Sequence, residues 1–213
     1  MPRLRVHNLA ISLDGFATGL NQRLDAPFGD NIEGLHDWMF AAMQDRTDDK
    51  TGIDVDFVER SEQNIGATIM GRNMFGPVRG PWPDETWSGW WGDNPPFHHD
   101  VFVHPHHLRP SVPLEGGTTF HFTDEPVETV LRRAFAAAGG RDVRVGGGPD
   151  TIQQYLRAGL VDELHLAIVP ILAGRGERLL DNVGEAIEGY RVAEQVSSAT
   201  VTHARLVRRG PAG

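Results

Sequence analysis

The chain has 213 residues, no cysteine and a formal net charge of −9, which suits one domain with a buried core and excludes disulfides, thiolate metal sites and a cysteine nucleophile. Its 39% hydrophobic and 23% charged residues exclude a disordered or collagen-like chain. No apolar run approaches the roughly 20 residues that cross a bilayer, and the acidic balance opposes nucleic acid, so we expect a cytoplasmic protein with a small-molecule partner.

Residues 4–13 alternate as a strand should, with Leu4, Val6, Leu9, Ile11 and Leu13 apolar before the turn Asp14-Gly15. The change of phase after His7 predicts a bulge or two covered faces. After a Gly/Asn/Asp-rich loop, Leu35, Trp38, Met39, Ala42 and Met43 recur at helical spacing, and Val55, Phe57, Val58, Ser61 and Ile65 give a weaker helix. Gly66 is expected to close that helix before the short strand 67–70.

Residues 77–113 hold four of the five tryptophans and five of the ten histidines, which predicts a long ordered loop that covers something, interrupted by one strand at 101–103. A strand at 119–122, a helix at 127–138 and a strand at 142–145 follow. A helix opens at Pro149, where the missing N–H is no loss, and ends before Gly159. Residues 164–172 form a strongly apolar strand, and strand-like runs near 190–196 and 200–207 complete the chain. Strands and helices alternate and then strands follow one another, so the expectation is an α/β domain whose mainly parallel sheet has an antiparallel C-terminal edge.

The segment Val143-Arg144-Val145-Gly146-Gly147-Gly148-Pro149-Asp150-Thr151 runs from strand through three glycines into a helix. Glycine lets a phosphate approach the backbone, and the helix N-terminus directs free N–H groups and partial positive charge at it; a turn that binds nothing has the same appearance. It matches neither the G-x-G-x-x-G fingerprint nor a P-loop. Ile69-Met70-Gly71-Arg72-Asn73 repeats the strand, glycine, helix logic and adds an arginine able to pair with phosphate.

These motifs, with Ser12-Leu13-Asp14-Gly15-Phe16 and the stretch from Val161-Asp162-Glu163-Leu164 through Pro170-Ile171-Leu172-Ala173-Gly174-Arg175-Gly176, occur in an order that resembles the dihydrofolate reductase superfamily. The nearest branch is the C-terminal reductase domain of the bifunctional riboflavin-biosynthesis deaminase/reductase. The resemblance spans nearly the whole chain and implies a single dihydrofolate-reductase-like domain over 1–213. It implies three layers, helices on both faces of about eight strands, and a bound NADPH whose hydride passes to a small carbonyl or imine substrate, as in 5-amino-6-(5-phosphoribosylamino)uracil reductase. A dihydrofolate or pteridine reductase, or a dinucleotide-binding protein without turnover, is the alternative.

On that carry-over Gly71 and Arg72 meet the adenosine-side phosphate, and Gly146, Gly147, Gly148 and Thr151 form the pyrophosphate loop, with a cis bond expected at Gly146–Gly147. Ser12, Asp14 and Gly15 face nicotinamide and substrate; Asp14 is the first candidate to orient substrate or relay the proton that C=N reduction requires, although an Asp-Gly turn residue often only caps its own loop. Glu33, His36 and Asp37 are further candidates for a substrate ligand. Where relatives read the 2′-phosphate with Ser, Thr or Arg, this chain has His104-Pro105-His106-His107, which leaves that task to Arg72 and to His106, His107 or Arg109. Trp90 and Trp91, with Trp87, either build a flat-ring substrate site or fill a satellite core or dimer contact. His98, His99, His104, His106 and His107 are not expected to hold a metal, because adjacent imidazoles on a strand point to opposite faces. Relatives suggest a homodimer through the C-terminal strands.

Overall fold

A computed structural model describes residues 1–48, 50–82, 84 and 87–210. In chain order it has β1 (Leu4–Ser12), β2 (Phe16–Thr18), α1 (Asp37–Thr47), α2 (Ile53–Glu62), β3 (Ile65–Gly71) and the one-turn α3 (Arg72–Phe75). Then come β4 (Asp100–His104), β5 (Val112–Pro113), β6 (Thr119–Phe122), α4 (Val127–Ala137), β7 (Asp142–Gly147) and α5 (Pro149–Arg157). The chain closes with β8 (Glu163–Val169), β9 (Glu177–Arg178), β10 (Tyr190–Ser197) and β11 (Thr202–Arg208).

Nine strands form one sheet in the order β10-β11-β8-β1-β7-β3-β4-β6-β5. The pairs from β8 to β6 are parallel, and β11 and β10 extend the sheet antiparallel at the C-terminal edge. The ninth strand is the two-residue β5, which pairs antiparallel with β6 at the other edge. It was not expected, because two residues carry no periodicity. β2 and β9 form a separate ribbon.

The phase change in β1 is a bulge. Asn8 adopts φ 56° and the pairing with β8 shifts between Val6 and Leu9, so Leu4, Val6 and Ile11 face one layer while Ala10 faces the other. The first layer is closed by α4 and α5 through Val130, Leu131, Ala134, Ile152, Tyr155 and Leu156. The second is covered by α1 and α2 through Trp38, Ala42, Val55 and Val58. Over β3, β4 and β6 that second layer consists of the Trp-rich loop, with Phe75, Phe97 and Phe120 at its centre.

Two glycine expectations are corrected. Gly66 does not close α2; Asn64 takes the left-handed turn (φ 60°), and Gly66 lies within β3. A Cβ on Gly66 would sit 2.4 Å from the Ala138 carbonyl oxygen, so the residue permits the end of α4 to press on the strand. The cis peptide is Gly147–Gly148, not Gly146–Gly147. β7 runs two residues beyond Val145, through Gly147 pairing with Met70, and this carries the turn one residue further along.

No helix among the described residues is long and apolar enough to cross a membrane.

Candidate active site

The carboxyl ends of β3 and β7 are adjacent, and each ends in glycine before a helix. A Cβ on Gly71 would lie 2.5 Å from Thr151 Oγ1, 3.4 Å from the Gly148 nitrogen and 3.6 Å from the Gly147 oxygen. The fold thus brings together the two glycine segments that are about 75 residues apart in the chain. Gly148 is the N-cap of α5 and faces open space, with no atom within 4 Å of where its Cβ would be. Because its neighbour Pro149 has no N–H, the first free helical donors are those of Asp150 and Thr151. Gly146 has a different surrounding: a Cβ there would meet Met74 Cε at 2.8 Å and Sδ at 2.9 Å. It is the seat of Met74.

Arg72, 8% exposed, turns its guanidinium over the Trp82 ring, 4.0 Å from the centroid, and donates from Nη1 to the Gly80 carbonyl. Its Nε and Nη2 are buried without a hydrogen-bond partner among the described residues. Burial lowers its pKa, and a guanidinium in that condition gains from an anionic acceptor. The buried Arg109 reaches the same ring, 5.0 Å from the centroid, and donates to the Trp87 carbonyl at 2.9 Å. His106 and His107 are exposed in the turn after β4. His104 shares a 2.9 Å hydrogen bond with the Tyr155 hydroxyl, which ties the end of β4 to α5. Trp82 belongs to the aromatic insertion 82–91 that the sequence marks as lining a pocket or packing a loop onto the core; its place between Arg72 and Arg109 is seen only in the fold.

Ser12 and Asp14 form a closed unit. The buried Ser12 Oγ donates to Asp14 Oδ1 at 2.6 Å and accepts the Phe16 N–H at 2.9 Å. Asp14 also accepts the N–H groups of Ala173 (3.0 Å) and Gly174 (2.8 Å). The Ser12 hydrogen bond, with those backbone donors, pulls the Asp14 carboxyl down to about 2. It is a carboxylate at neutral pH, and it joins the β1–β2 turn to the loop after β8. Gly15, at φ 89°, accepts the Leu179 N–H at 3.2 Å and leaves open space beside it.

The tryptophans divide by position. Trp82, Trp87 and Trp91 pack into the core under the sheet. Trp90 and Trp91 both donate their indole N–H to the Met74 carbonyl, at 2.7 and 3.0 Å, and so satisfy the end of the one-turn helix. Trp90 remains 37% exposed and meets the Phe28 ring edge-on, 6.2 Å between centroids. Phe28 stacks on His36 at 3.8 Å, and the two rings help to line a cavity of about 150 Å³ with Ile32, Glu33, Asp37 and Phe40. Burial pulls His36 down to about 4, so its imidazole is neutral near pH 7. Contacts run from this cavity to the glycine loop: Phe28 to Trp90, Trp90 to Met74, Met74 to Gly146 and Gly147. Gln22, in the β2–α1 loop that also carries Phe28, accepts the Asn73 amide at 2.8 Å.

The remaining histidines of the Trp-rich region have protein partners: His98 meets the Gly116 carbonyl and His99 the Thr68 hydroxyl.

A sequence profile of the RibD C-terminal domain matches residues 5–203, nearly the entire sheet and all the segments just described. The chain belongs to the RibD C-terminal domain family. No curated protein matches it. Among solved structures, a riboflavin biosynthesis protein from Shewanella sp. PV-4 is similar at 20% identity and TM-score 0.60, over 99% of this chain and 100% of that one. The Thermotoga maritima diaminohydroxyphosphoribosylaminopyrimidine deaminase/5-amino-6-(5-phosphoribosylamino)uracil reductase is similar at 12% identity and TM-score 0.59; 98% of this chain covers 57% of it. Dihydrofolate reductase from Enterococcus faecalis, complexed with NADP(H), is similar at 14% identity and TM-score 0.52, over 98% of this chain and 97% of that one. The RibD-family chain thus has the dihydrofolate-reductase-like fold.

Proposed function

We propose that the protein is an NADPH-dependent reductase of the RibD C-terminal family that reduces a small carbonyl or imine compound. The reading rests above all on the cradle formed by Gly71, the Gly147–Gly148 turn and the N-terminus of α5, with the buried, incompletely bonded Arg72 beside it. The residues fit a dinucleotide: Gly148 gives the backbone room that a phosphate needs, the donors of Asp150 and Thr151 face it, and Arg72 has two N–H groups to offer. When bound, NADPH supplies the hydride. Arg109 supports the adenosine-side charge next to Arg72, and the exposed His106 has no comparable setting.

In this reading Asp14 positions rather than protonates. Its oxygens hold Ser12, Ala173 and Gly174, so they fix the floor on which Gly15 presents open space to the substrate. The cavity lined by Phe28 and His36 receives a flat ring; Trp90 backs it through its edge-on contact with Phe28, and Trp91 packs against Trp90. The working unit is a homodimer through the exposed β10 edge, where Val192 is 56% exposed.

The test is a thermal-shift titration with NADPH and NADH. Ligand at 100 times its dissociation constant adds about 2.7 kcal/mol to stability. Absence of any shift with both dinucleotides overturns the proposal, and loss of NADPH absorbance in a screen of ring imines and carbonyls identifies the substrate.

A further inference from the structure

A second cavity lies elsewhere. It occupies about 290 Å³ at the amino ends of β1 and β8, so it sits at the opposite end of the parallel sheet from the glycine cradle. Four arginines line it, Arg3, Arg5, Arg60 and Arg205, with His7, Asp142 and Glu163.

Much of this charge has structural work. Arg5 donates to the Arg60 and Gln63 carbonyls at 2.7 and 2.8 Å, where it satisfies the C-terminal end of α2, and it meets Asp142 at 3.4 Å. Glu163 takes Arg3 at 2.9 Å, Arg205 at 3.3 Å and His7 at 2.6 Å. Glu194, behind the cavity, takes Arg60 at 2.9 Å and Arg205 at 3.0 Å. Four guanidinium groups therefore face three carboxylates, an excess of one positive charge in a chain whose net charge is −9. Hydrogen bonding around the cavity is also incomplete: the Arg60 guanidinium Nε and the His7 imidazole Nδ1 are buried without partners among the described residues. Arg3 and Arg205 keep 50% and 26% of their side-chain surface open at the rim.

We propose that this cavity is a second ligand site, which takes a small oxyanion, phosphate in free or esterified form. Guanidinium groups on three elements converge on one space with more positive than negative charge, and phosphate is the acceptor whose geometry their N–H forks match. The site is separated from the cradle by the length of the sheet, so occupancy does not require that the dinucleotide be absent.

The test is thermal unfolding at constant ionic strength with inorganic phosphate replacing chloride. The expected result is a saturable rise in Tm. Arg3→Gln and Arg205→Gln, each measured against its own starting Tm, should weaken the apparent affinity tenfold or more, whereas Arg72→Gln at the cradle should leave it unchanged. Arg3 is half exposed, so that variant keeps the test valid if Arg205→Gln fails to fold. Glycerol phosphate separates the two sources: tighter binding than phosphate indicates an ester, equal or weaker binding the free ion. A rise that never saturates and is shared by all variants is only the general effect of an excluded salt, and it overturns the proposal; so does a phosphate response lost in Arg72→Gln alone.

Discussion

Gly71→Ala isolates the contact on which the cradle depends. Gly71 has φ −77° and ψ 162°, ordinary extended backbone, so alanine brings no conformational strain and its only new term is the added methyl. That methyl would lie 2.5 Å from Thr151 Oγ1, far inside van der Waals contact, while Gly148 N at 3.4 Å and Gly147 O at 3.6 Å remain tolerable. Overpacking of this kind costs about 1–3 kcal/mol, or roughly 4–8 °C in Tm for a middle value of about 2 kcal/mol in a domain of this size. Because the displaced atom belongs to the first turn of α5, NADPH affinity should fall about tenfold or more as well, equivalent to about 1.4 kcal/mol. Thr151→Ala removes the clashing oxygen, so the double variant Gly71→Ala/Thr151→Ala should be more stable than Gly71→Ala alone. The cycle is read by urea denaturation and by NADPH thermal shift. A single variant with wild-type stability, or a double variant no better than the single, refutes the close approach of β3 to α5.

Glu163→Gln should destabilise the fold by about 3 kcal/mol or more, since it removes the charge of a buried carboxylate that faces the buried Arg5 at 3.7 Å and the buried His7 at 2.6 Å. Burial works against ionised Glu163, but the His7 hydrogen bond and the nearby arginines outweigh it and hold the carboxyl at about 2; its contribution is therefore present above about pH 4.5 and lost as pH falls towards 2, visible in acid unfolding curves. Burial lowers His36 and His99 to about 4 and His165 to about 2, so each binds a proton in the unfolded chain first. Stability is consequently full above about pH 6.5 and should decline from there towards pH 4, and His99→Gln should reduce the slope by up to one proton in urea titrations across pH 5–6. Arg72→Ala should weaken NADPH more than NADH in parallel binding titrations; equal losses would remove Arg72 from recognition of the extra phosphate.

The sequence made legible those features that repeat locally. β1, β3, β7 and β8 show their apolar alternation or runs openly, and even the bulge at Asn8 appeared as a change of phase after His7. Position along a turn was harder to read. Gly146, Gly147 and Gly148 look equivalent in sequence, yet one seats Met74, one precedes the cis bond and one faces open space. The difference is set by where β7 stops pairing with β3, a tertiary property. Asp14 shows the same limit at longer range: its partners Ala173 and Gly174 lie about 160 residues away, and nothing near Asp14 announces them.

The Trp-rich loop explains why composition alone left two alternatives. α1 and α2 cover the second face only over β1, β8 and β11, so β3, β4 and β6 would expose Met70, Val101, Val103 and Phe120 without another cover. A loop can supply that cover only if it carries large rings, and it must also find partners for its own polar groups. Trp90 and Trp91 do this by donating to Met74, the residue that also rests on Gly146 and Gly147. Core filling and the shape of the glycine turn are therefore coupled here through one short helix: a ring removed from beneath the loop should loosen Met74, and with it the seat of Gly146 and Gly147.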